Sequence, residues 1–331
     1  MNNQKKIGFI TCKPEKLECY FPTNAEPDII PIEPPFTPDD QIIVDELRLR
    51  DYQVEPVIWG EVLDNIIKYD ILIVRSPWDY MDNAENRELF LNWIEFLQFS
   101  NIKLENKPQL IRWLYDKHYL RDFEANNILI VPTNYIEKGQ KVNLESFYKF
   151  LGPFVIKPSI AAAGEGLKFI KKEEEAIDYQ DEFNNLASTR SYIIQAFIPE
   201  IATNGEWSLI FIDGKYSHSI HKTPMEGEIL VHAEAGGGLQ FIEPSDIVIN
   251  TAVNMYDKII KAFRETMYFE VDKINDEWVP LYLRIDVIET SKGILLSECE
   301  GVEPELFFRA NQESISTFVN AIENRLSIIP A

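Results

Sequence analysis

The first hundred residues alternate between short apolar runs and longer amphipathic segments. The apolar runs at residues 6–12, 54–59 and 69–75 predict buried strands. The third run, YDILIVR, is apolar on both faces and therefore predicts a central parallel strand. Amphipathic segments at residues 37–50 and 84–99 predict helices, the first with Thr37 as its N-cap and Pro38 in its first turn. This alternation indicates an α/β unit, in which ligand-binding groups lie at the carboxyl ends of the strands.

Two segments of this unit are not explained by strands and helices. Six prolines between residues 13 and 37 predict a long irregular loop. The third strand runs directly into RSPWDY, which suggests a small-molecule pocket. Its candidate substrate ligands are Arg75, Ser76, Trp78 and Asp79. A Pro-Trp turn closed by an Arg–Asp ion pair explains the same residues, and the sequence leaves both interpretations open.

The middle of the chain combines a helix, two strands and a glycine-containing loop. Residues 110–126, which include Lys117, predict a helix, and residues 127–133 a strand. A strand over Phe154–Pro158 carries Lys157 near its end, and SIAAAGEGLKFI follows with Gly164 and Gly166. Small residues let backbone N–H groups approach phosphates closely. The spacing is neither that of a Walker P-loop nor that of a dinucleotide fingerprint.

The last third predicts mainly antiparallel strands. Residues 191–197 form an apolar run, and two further runs at 206–212 and 215–222 flank Asp213-Gly214, a strong hairpin turn signal. A loop rich in glycine and glutamate follows at residues 227–238. Residues 245–265 and 311–326 predict helices.

The stretch from Leu281 to Glu300 predicts a hairpin that gathers carboxylates. With Ser291–Gly293 as a three-residue loop, Asp286 lies opposite Glu298, and Arg284 opposite Glu300. These four side chains then share one face, and the other face carries Ile285, Val287, Leu295 and Cys299. Facing like charges are destabilising, so three carboxylates favour a divalent cation, and oxygen ligands suit Mg²⁺. A solvated acidic face is the alternative.

Composition narrows the functional classes. The 331 residues are 45% hydrophobic and carry a formal charge of −22, which argues against nucleic-acid and anionic-membrane partners. Three cysteines without a CxxC motif do not form a disulfide framework, so we expect a reducing cytoplasm. No apolar stretch approaches the roughly 18 residues of a membrane span. A homodimer is left open.

Taken in order, these features resemble the ATP-grasp superfamily of carboxylate–amine ligases. The resemblance covers roughly residues 105 to 310, and RSPWDY and ECEGVEPELFF are similar to the glutathione-synthetase-like branch that includes D-cycloserine ligase. It implies an α+β fold in which two subdomains clasp ATP between β-sheets. The expected parts are an N-terminal α/β substrate domain at 1–106, a central subdomain at 107–194, and a C-terminal subdomain with the metal-binding hairpin at 195–331. The central subdomain contains the glycine loop SIAAAGEGLKFI, here called the flap.

The resemblance also implies a role for each matching residue. Lys117, Lys157 and the flap glycines Gly164 and Gly166 would contact the ATP phosphates. Gln195, Ala196, Phe197 and Ile198 would bind adenine, and Glu206 the ribose. Asp286, Glu298 and Glu300 would hold Mg²⁺, as two ions and with Mn²⁺ as a substitute, whereas Arg284 and Lys222 would be catalytic near the transferred phosphoryl group. Many members have Asn in place of Glu300 and Glu in place of Gln195, and Glu165 is an unexpected carboxylate in a phosphate flap.

The expected activity is an ATP-dependent, ADP-forming ligation through an acyl-phosphate. Its substrates would be a small carboxylate or amino acid and an amine. Phosphoryl transfer depends on positioning and charge neutralisation, which the lysines, Arg284 and the metal would supply. A peptide-modifying ligase, a small-molecule kinase and a non-catalytic nucleotide sensor are the alternatives.

Overall fold

A computed structural model describes residues 4–20, 35–100, 102–161, 164–224, 238–267 and 278–327. Its strands form three sheets. None of the helices in these ranges is both long and apolar enough to cross a bilayer.

The first sheet is parallel and has the strand order β2-β1-β3-β4. Its strands are β1 (Lys6–Thr11), β2 (Gln53–Ile58), β3 (Ile71–Ser76) and β4 (Leu104–Glu105). The associated helices are α1 (Pro14–Tyr20), α2 (Pro38–Leu49), α3 (Leu63–Ile66) and α4 (Ala84–Phe99). β3 is buried along its whole length and lies between β1 and β4, which confirms the predicted central strand.

The helix boundaries of this part were largely predictable. Thr37 Oγ1 accepts a hydrogen bond from the backbone N–H of Asp40 at 3.0 Å, as an N-cap does, and Pro38 begins α2. The proline-rich loop prediction was wrong for its first part, because α1 begins at Pro14, where proline is tolerated in a first helical turn. The rest of that prediction, residues 21–34, lies outside the described residues.

The second sheet is antiparallel with the order β5-β8-β6-β7. Its strands are β5 (Thr133–Ile136), β6 (Phe154–Pro158), β7 (Lys168–Ile170) and β8 (Tyr192–Ala196). The helices before and within it are α5 (Pro108–Leu114), α6 (Tyr119–Ala125), α7 (Leu144–Leu151), α8 (Glu173–Asp178) and α9 (Gln180–Ala187). β8 crosses the predicted subdomain boundary at 194–195.

Two predictions before this sheet were wrong. The single helix predicted over 110–126 is divided into α5 and α6, and Lys117 lies in the break. The carboxylate of Asp116 accepts the backbone N–H of His118 at 3.0 Å, which replaces a helical hydrogen bond, and the Lys117 N–H donates to Ser159 O at 2.8 Å. The strand predicted at 127–133 is reduced to one bridge, between Ile130 and Leu296, and strand pairing starts only at Thr133.

The third sheet has the order β11-β10-β9-β12-β13 and is antiparallel throughout. Its strands are β9 (Glu206–Ile212), β10 (Lys215–Thr223), β11 (Gly238–Gln240), β12 (Tyr282–Thr290) and β13 (Gly293–Glu300). The remaining helices are α10 (Glu200–Asn204), α11 (Asp246–Met267) and α12 (Gln312–Ser327). Asp213 and Gly214 have φ of 49° and 80°, which a tight hairpin turn of the predicted kind requires. The predicted Gly/Glu loop lies almost wholly outside the described residues.

Strand alternation gives this sheet two buried faces. Leu209 and Phe211 pack on one side, where Phe211 stacks on Tyr256 of α11. Ile210 and Ile212 pack on the other side with the first sheet and α12. The third sheet therefore lies between two hydrophobic cores, one on each of its faces.

The predicted hairpin forms with a different turn and a compensating bulge. Thr290 pairs with Gly293, so the loop is two residues long, and the register shifts by one residue between Asp286 and Val287. Asp286 therefore still faces Glu298, as predicted. The bulge makes one prediction wrong: Leu295, which was predicted to share a face with Val287, pairs with Ile288, and the fully buried Leu296 lies opposite Val287.

Candidate active site

Two neighbouring cavities lie where the second and third sheets meet. The larger, of about 460 Å³, is lined by hairpin residues, by the flap and, after β3, by Trp78 and residues 80–82. The smaller, of about 90 Å³, is lined by Gln195, Ala196, Phe197, Ile198 and Glu206 among others. Lys157, Leu167 and Glu298 line both cavities. A single elongated ligand could therefore occupy both.

Asp286 is the most tightly held carboxylate of the site. Its side chain accepts from Arg284 Nε at 3.0 Å, from Lys222 Nζ at 3.1 Å and from Ser208 Oγ at 2.6 Å. Burial opposes ionisation, but Arg284 and Lys222 outweigh it and hold the pKa of Asp286 well below its usual range. This carboxylate is therefore ionised at neutral pH.

Lys222 connects the metal-site candidates to the smaller cavity. Its ammonium lies 2.9 Å from Glu206 Oε2 as well as 3.1 Å from Asp286, and these charges outweigh burial and raise its pKa. Ser297, the extra residue of the hairpin bulge, donates to Glu206 Oε1 at 2.6 Å. The bulge thus fixes the candidate ribose ligand.

Glu298 and Glu300 are neighbours on one strand face, but their pKa values are shifted in opposite directions. Lys117 Nζ lies 3.0 Å from Glu298 Oε1 and 2.6 Å from Ala161 O. Burial would raise the pKa of Glu298, but Lys117 and Lys157 outweigh it and lower the pKa to about 2. Burial raises the pKa of Glu300 to about 8, against the attraction of Arg284, which is its ion-pair partner.

Lys157 has no ion pair or side-chain hydrogen bond to any described residue. It lines both cavities, and burial lowers its pKa against the opposing effect of Glu298. An amine without a counter-charge at the junction of two cavities can bind an anionic group of a ligand.

The smaller cavity offers backbone groups at one end. Gln195 Nε2 donates to Thr133 Oγ1 at 3.0 Å, and the Ala196 N–H donates to Pro132 O. The N–H of Ile198 has no acceptor within the described ranges. It can therefore donate to a planar ring acceptor in this cavity.

The flap approaches the larger cavity through its glycines. Gly164 lines that cavity, and Gly164 and Gly166 have φ of 73° and 67°. A side chain at Gly166 would meet Pro158 at 2.9 Å, so glycine is required there. The Glu165 side chain is 51% exposed and lies 3.5 Å from Arg190, so its charge has a cationic partner outside the phosphate path proposed for the flap glycines.

The RSPWDY segment does not provide the expected set of cavity groups. Arg75 and Ser76 are buried and bind the Asp40 carboxylate, at 2.7 Å and 3.2 Å. Asp79 accepts a hydrogen bond from the indole of Trp59. Of the four candidates, Trp78 lines the larger cavity, and neither cavity as described includes Arg75, Ser76 or Asp79.

Two family models match separate segments of the chain. Residues 117–273 match the family described as prokaryotic glutathione synthetase, ATP-grasp domain, and residues 9–106 match the N-terminal domain of D-cycloserine synthetase DcsG. The chain carries an ATP-grasp domain. This match agrees with the predicted resemblance and fold class.

Two curated relatives support the same branch. The cycloserine biosynthesis protein DcsG of Streptomyces lavendulae is 27% identical over 173 residues, which cover 50% of this chain and 56% of that protein. The glutathione synthetase of Synechococcus elongatus (strain ATCC 33912 / PCC 7942 / FACHB-805) is 21% identical over 218 residues, covering 60% and 63%. The chain therefore spans less than two thirds of the length of these relatives.

Solved structures agree over nearly the whole chain. A crystal structure of D-cycloserine synthetase DcsG matches with a TM-score of 0.74 and 20% identity, covering 97% of this chain and 100% of that one. The D-alanine–D-alanine ligase of Bacillus anthracis complexed with ATP matches with a TM-score of 0.63 and 14% identity, covering 98% and 97%. These likenesses establish the ATP-grasp fold.

ATP-grasp proteins use divalent metal ions, and this site offers the kind of ligand atoms that such ions bind. Asp286, Glu298 and Glu300 offer only carboxylate oxygens, which Mg²⁺ prefers. In the described part of the chain, however, no three acidic, histidine or cysteine side chains are already gathered as a metal site. Arg284, Lys222 and Lys117 occupy these carboxylates instead. The cations would have to release them for a metal to bind.

Residues 301–306, here called the strap, follow Glu300 and were not predicted as part of the site. Each carbonyl of the strap accepts a hydrogen bond from a side chain. In chain order these donors are Asn106, Tyr282, Trp78, Arg75, Arg284 and His218, at 2.8, 2.8, 3.3, 3.4, 3.4 and 2.7 Å. A segment without regular structure is thereby held rigidly, and Val302, Glu303 and Glu305 of this segment line the larger cavity.

The spacing of the two glutamates in the strap is the sequence feature from which its role in the site could have been predicted. The sequence EGVEPE places Glu303 and Glu305 just after a predicted metal ligand, in a segment noted only for its family likeness. What the sequence did not contain was the set of donors, which come from distant parts of the chain.

Proposed function

We propose that the chain is an ATP-dependent, ADP-forming ligase that joins a small carboxylate to an amine through an acyl-phosphate. The observation that carries this proposal is Lys157, whose amine lacks a partner within the described ranges and lines both cavities. A triphosphate running from the smaller to the larger cavity would supply the missing anion. The match to an ATP-grasp domain and the names of similar proteins, a glutathione synthetase and a D-alanine–D-alanine ligase, support the same reaction class.

The nucleotide would bind with its base in the smaller cavity. The Ile198 N–H and the side chain of Gln195 would meet the adenine edge, between the apolar walls of Val131, Val155 and Ile288. Glu206, fixed by Ser297, would accept from the ribose hydroxyls. The phosphates would then extend past Lys157 toward Lys117 and the backbone of Gly164.

Mg²⁺ would be held by Asp286, Glu298 and Glu300, with Mn²⁺ as a substitute. When bound, the metal neutralises phosphate charge and orients the phosphates for transfer. Lys222 and Arg284 bind Asp286 in this structure, so binding of the metal and the nucleotide would require both cations to leave that carboxylate. Released from it, these two cations can stabilise the transferred phosphoryl group.

The larger cavity would hold the substrates next to the phosphates. Its volume of about 460 Å³ is that of a small-molecule site, and aromatic side chains of Tyr80, Tyr115 and Phe307 line it. A substrate carboxylate beside Arg284 would attack the terminal phosphate and form the acyl-phosphate. The amine would then attack the acyl carbon and release phosphate, with the flap excluding water.

A metabolite-pool screen tests this proposal. The protein, ATP and Mg²⁺ are incubated with fractionated small metabolites, and ADP release and the mass of each consumed compound are measured. The proposal expects ADP release that requires both a carboxylate and an amine, with loss of water from their combined mass. A stable phosphorylated product without a second nucleophile would instead identify a kinase. ATP binding without turnover in every pool would indicate a nucleotide sensor, and turnover only with a peptide would identify a peptide-modifying ligase.

A further inference from the structure

The charged groups around the larger cavity are almost all paired. Among its lining cations, Lys117, Lys222 and Arg284 have carboxylate partners. Its lining carboxylates are likewise paired with cations: Asp82 with Lys16, Glu165 with Arg190, Glu298 with Lys117, Glu300 with Arg284 and Glu305 with Arg309. Within the described ranges, two exceptions remain, Lys157 and Glu303.

Glu303 is held in place without a cationic partner in the described ranges. Its Oε1 accepts a hydrogen bond from the Tyr80 hydroxyl, and its backbone carbonyl accepts from the Trp78 indole. Its Oε2 is buried and has no partner in the described part of the chain. A buried carboxylate oxygen without a donor is costly, so a bound ligand is the natural source of one.

The two exceptions have opposite charge. Lys157 matches the phosphates of the proposed nucleotide. Glu303 lines the same cavity and matches a cationic or N–H-bearing group, whereas a second carboxylate would be repelled there. The strap immobilises Glu303 before any ligand arrives, which lowers the ordering cost of binding.

We propose that Glu303, oriented by Tyr80, binds the amine of the second substrate, so that this substrate presents a primary amine to the strap. This inference rests on the proposed ligase function and names the group that the strap selects. The stacked rings of Tyr80 and Phe90, 4.3 Å apart, keep the Tyr80 hydroxyl directed at the carboxylate. Burial also raises the pKa of Glu303 to about 7, and a cationic amine bound beside it would favour the ionised form.

The test compares amines with hydroxyl isosteres. Alaninamide and lactamide, in both enantiomers, and a panel of D- and L-amino acids with their hydroxy analogues are titrated by calorimetry. Each titration is run with and without Mg²⁺ and a non-hydrolysable ATP analogue. The proteins are wild type, Glu303→Gln, Tyr80→Phe and Glu243→Gln. Glu303→Gln keeps the acceptor for Tyr80, and Glu243 is a matched control because Tyr216 donates to it at 3.0 Å outside both cavities.

Wild type should bind amine-bearing members and discriminate against their hydroxy analogues. Glu303→Gln should weaken amine binding at least about tenfold, Tyr80→Phe should weaken it less, and Glu243→Gln should not change it. Equal binding of amines and hydroxy analogues, unchanged amine binding in Glu303→Gln, or no amine binding by wild type would each overturn the proposal. Failure of the ATP analogue to bind would count against the ligase function, and the titrations without nucleotide would still report on Glu303.

Discussion

Arg75 and Lys157 both lie near the end of an apolar strand, and the structure gives them opposite roles. Arg75 on β3 is 2.7 Å from Asp40, and its guanidinium lies 5.2 Å from the ring centre of Tyr282. Lys157 on β6 has no such partner in the described ranges and faces both cavities. A basic residue at a strand end is therefore structural when a distant segment supplies its counter-charge, and available for a ligand when none does.

Arg75 lies next to the larger cavity but does not line it. Arg75 Nη2 donates to Pro304 O at 3.4 Å and so supports the strap. It acts on the cavity through the backbone that carries Glu303.

The largest expected effect is on stability, from Arg75→Met. Removing one partner of a buried ion pair leaves Asp40 charged and buried, which costs about 3–5 kcal/mol. The free energy of unfolding in urea should fall by this amount. The double variant Arg75→Met/Asp40→Asn should lose less, because no uncompensated charge remains. A loss below about 1 kcal/mol in Arg75→Met would contradict the structural role.

The second effect is on turnover, from the carboxylates that face Lys157. Asp286→Asn and Glu298→Gln should each lower the rate of ADP formation by about 10² or more, since each removes an anionic ligand of the metal that would orient the phosphates. Steady-state kinetics on the substrates identified by the screen measure this. Glu289→Gln, an exposed change on the same hairpin, is the matched control. Near-normal turnover in both site variants would show that the metal assignment is misplaced.

The third effect separates Lys157 from Arg75 directly. Lys157→Met should weaken binding of an ATP analogue by about tenfold or more without lowering stability. Burial lowers the pKa of Lys157, so the charged amine costs stability at neutral pH, and methionine removes that cost. Calorimetry and urea unfolding measure the two quantities. Lys292→Met, at the exposed hairpin turn, should change neither, and a large stability loss in Lys157→Met would contradict the comparison.

Local sequence signals predicted the elements that carry the site. Asp286 and Glu298 were predicted to face each other because side-chain alternation is a local property. The pairing was correct although the turn was not, since a two-residue loop with a bulge at Ser297 gives the same register at Asp286 as a three-residue loop without one.

Long-range pairing could not be predicted from one sequence. Asp40 lies 35 residues from Arg75, and the donors to the strap come from as far as 229 residues away. No periodicity encodes such contacts, so RSPWDY looked equally like a pocket and a sealed turn. The break at Lys117 also has a long-range part: the Asp116 carboxylate replaces a helical hydrogen bond locally, and the Lys117 N–H donates to Ser159 O on a distant strand end.

The smallest expected effect concerns His118, a basic side chain whose counter-charge is local. The hydrogen bond to Asp116 raises the pKa of His118 above its usual 6.5, against the opposing effect of burial. A group whose pKa is higher in the folded state contributes its full stabilisation at pH values below its unfolded-state pKa. This stabilisation is lost as the pH rises through its folded-state pKa. His118→Asn should therefore lower the free energy of unfolding more at pH 6 than at pH 9, by less than about 1 kcal/mol because the pair is partly exposed. Urea titrations at the two pH values measure this, and an equal loss at both would show that His118 packs in the break as a neutral ring. Lys117 should then still reach Glu298 at high pH, since its own N–H bond to Ser159 does not depend on His118.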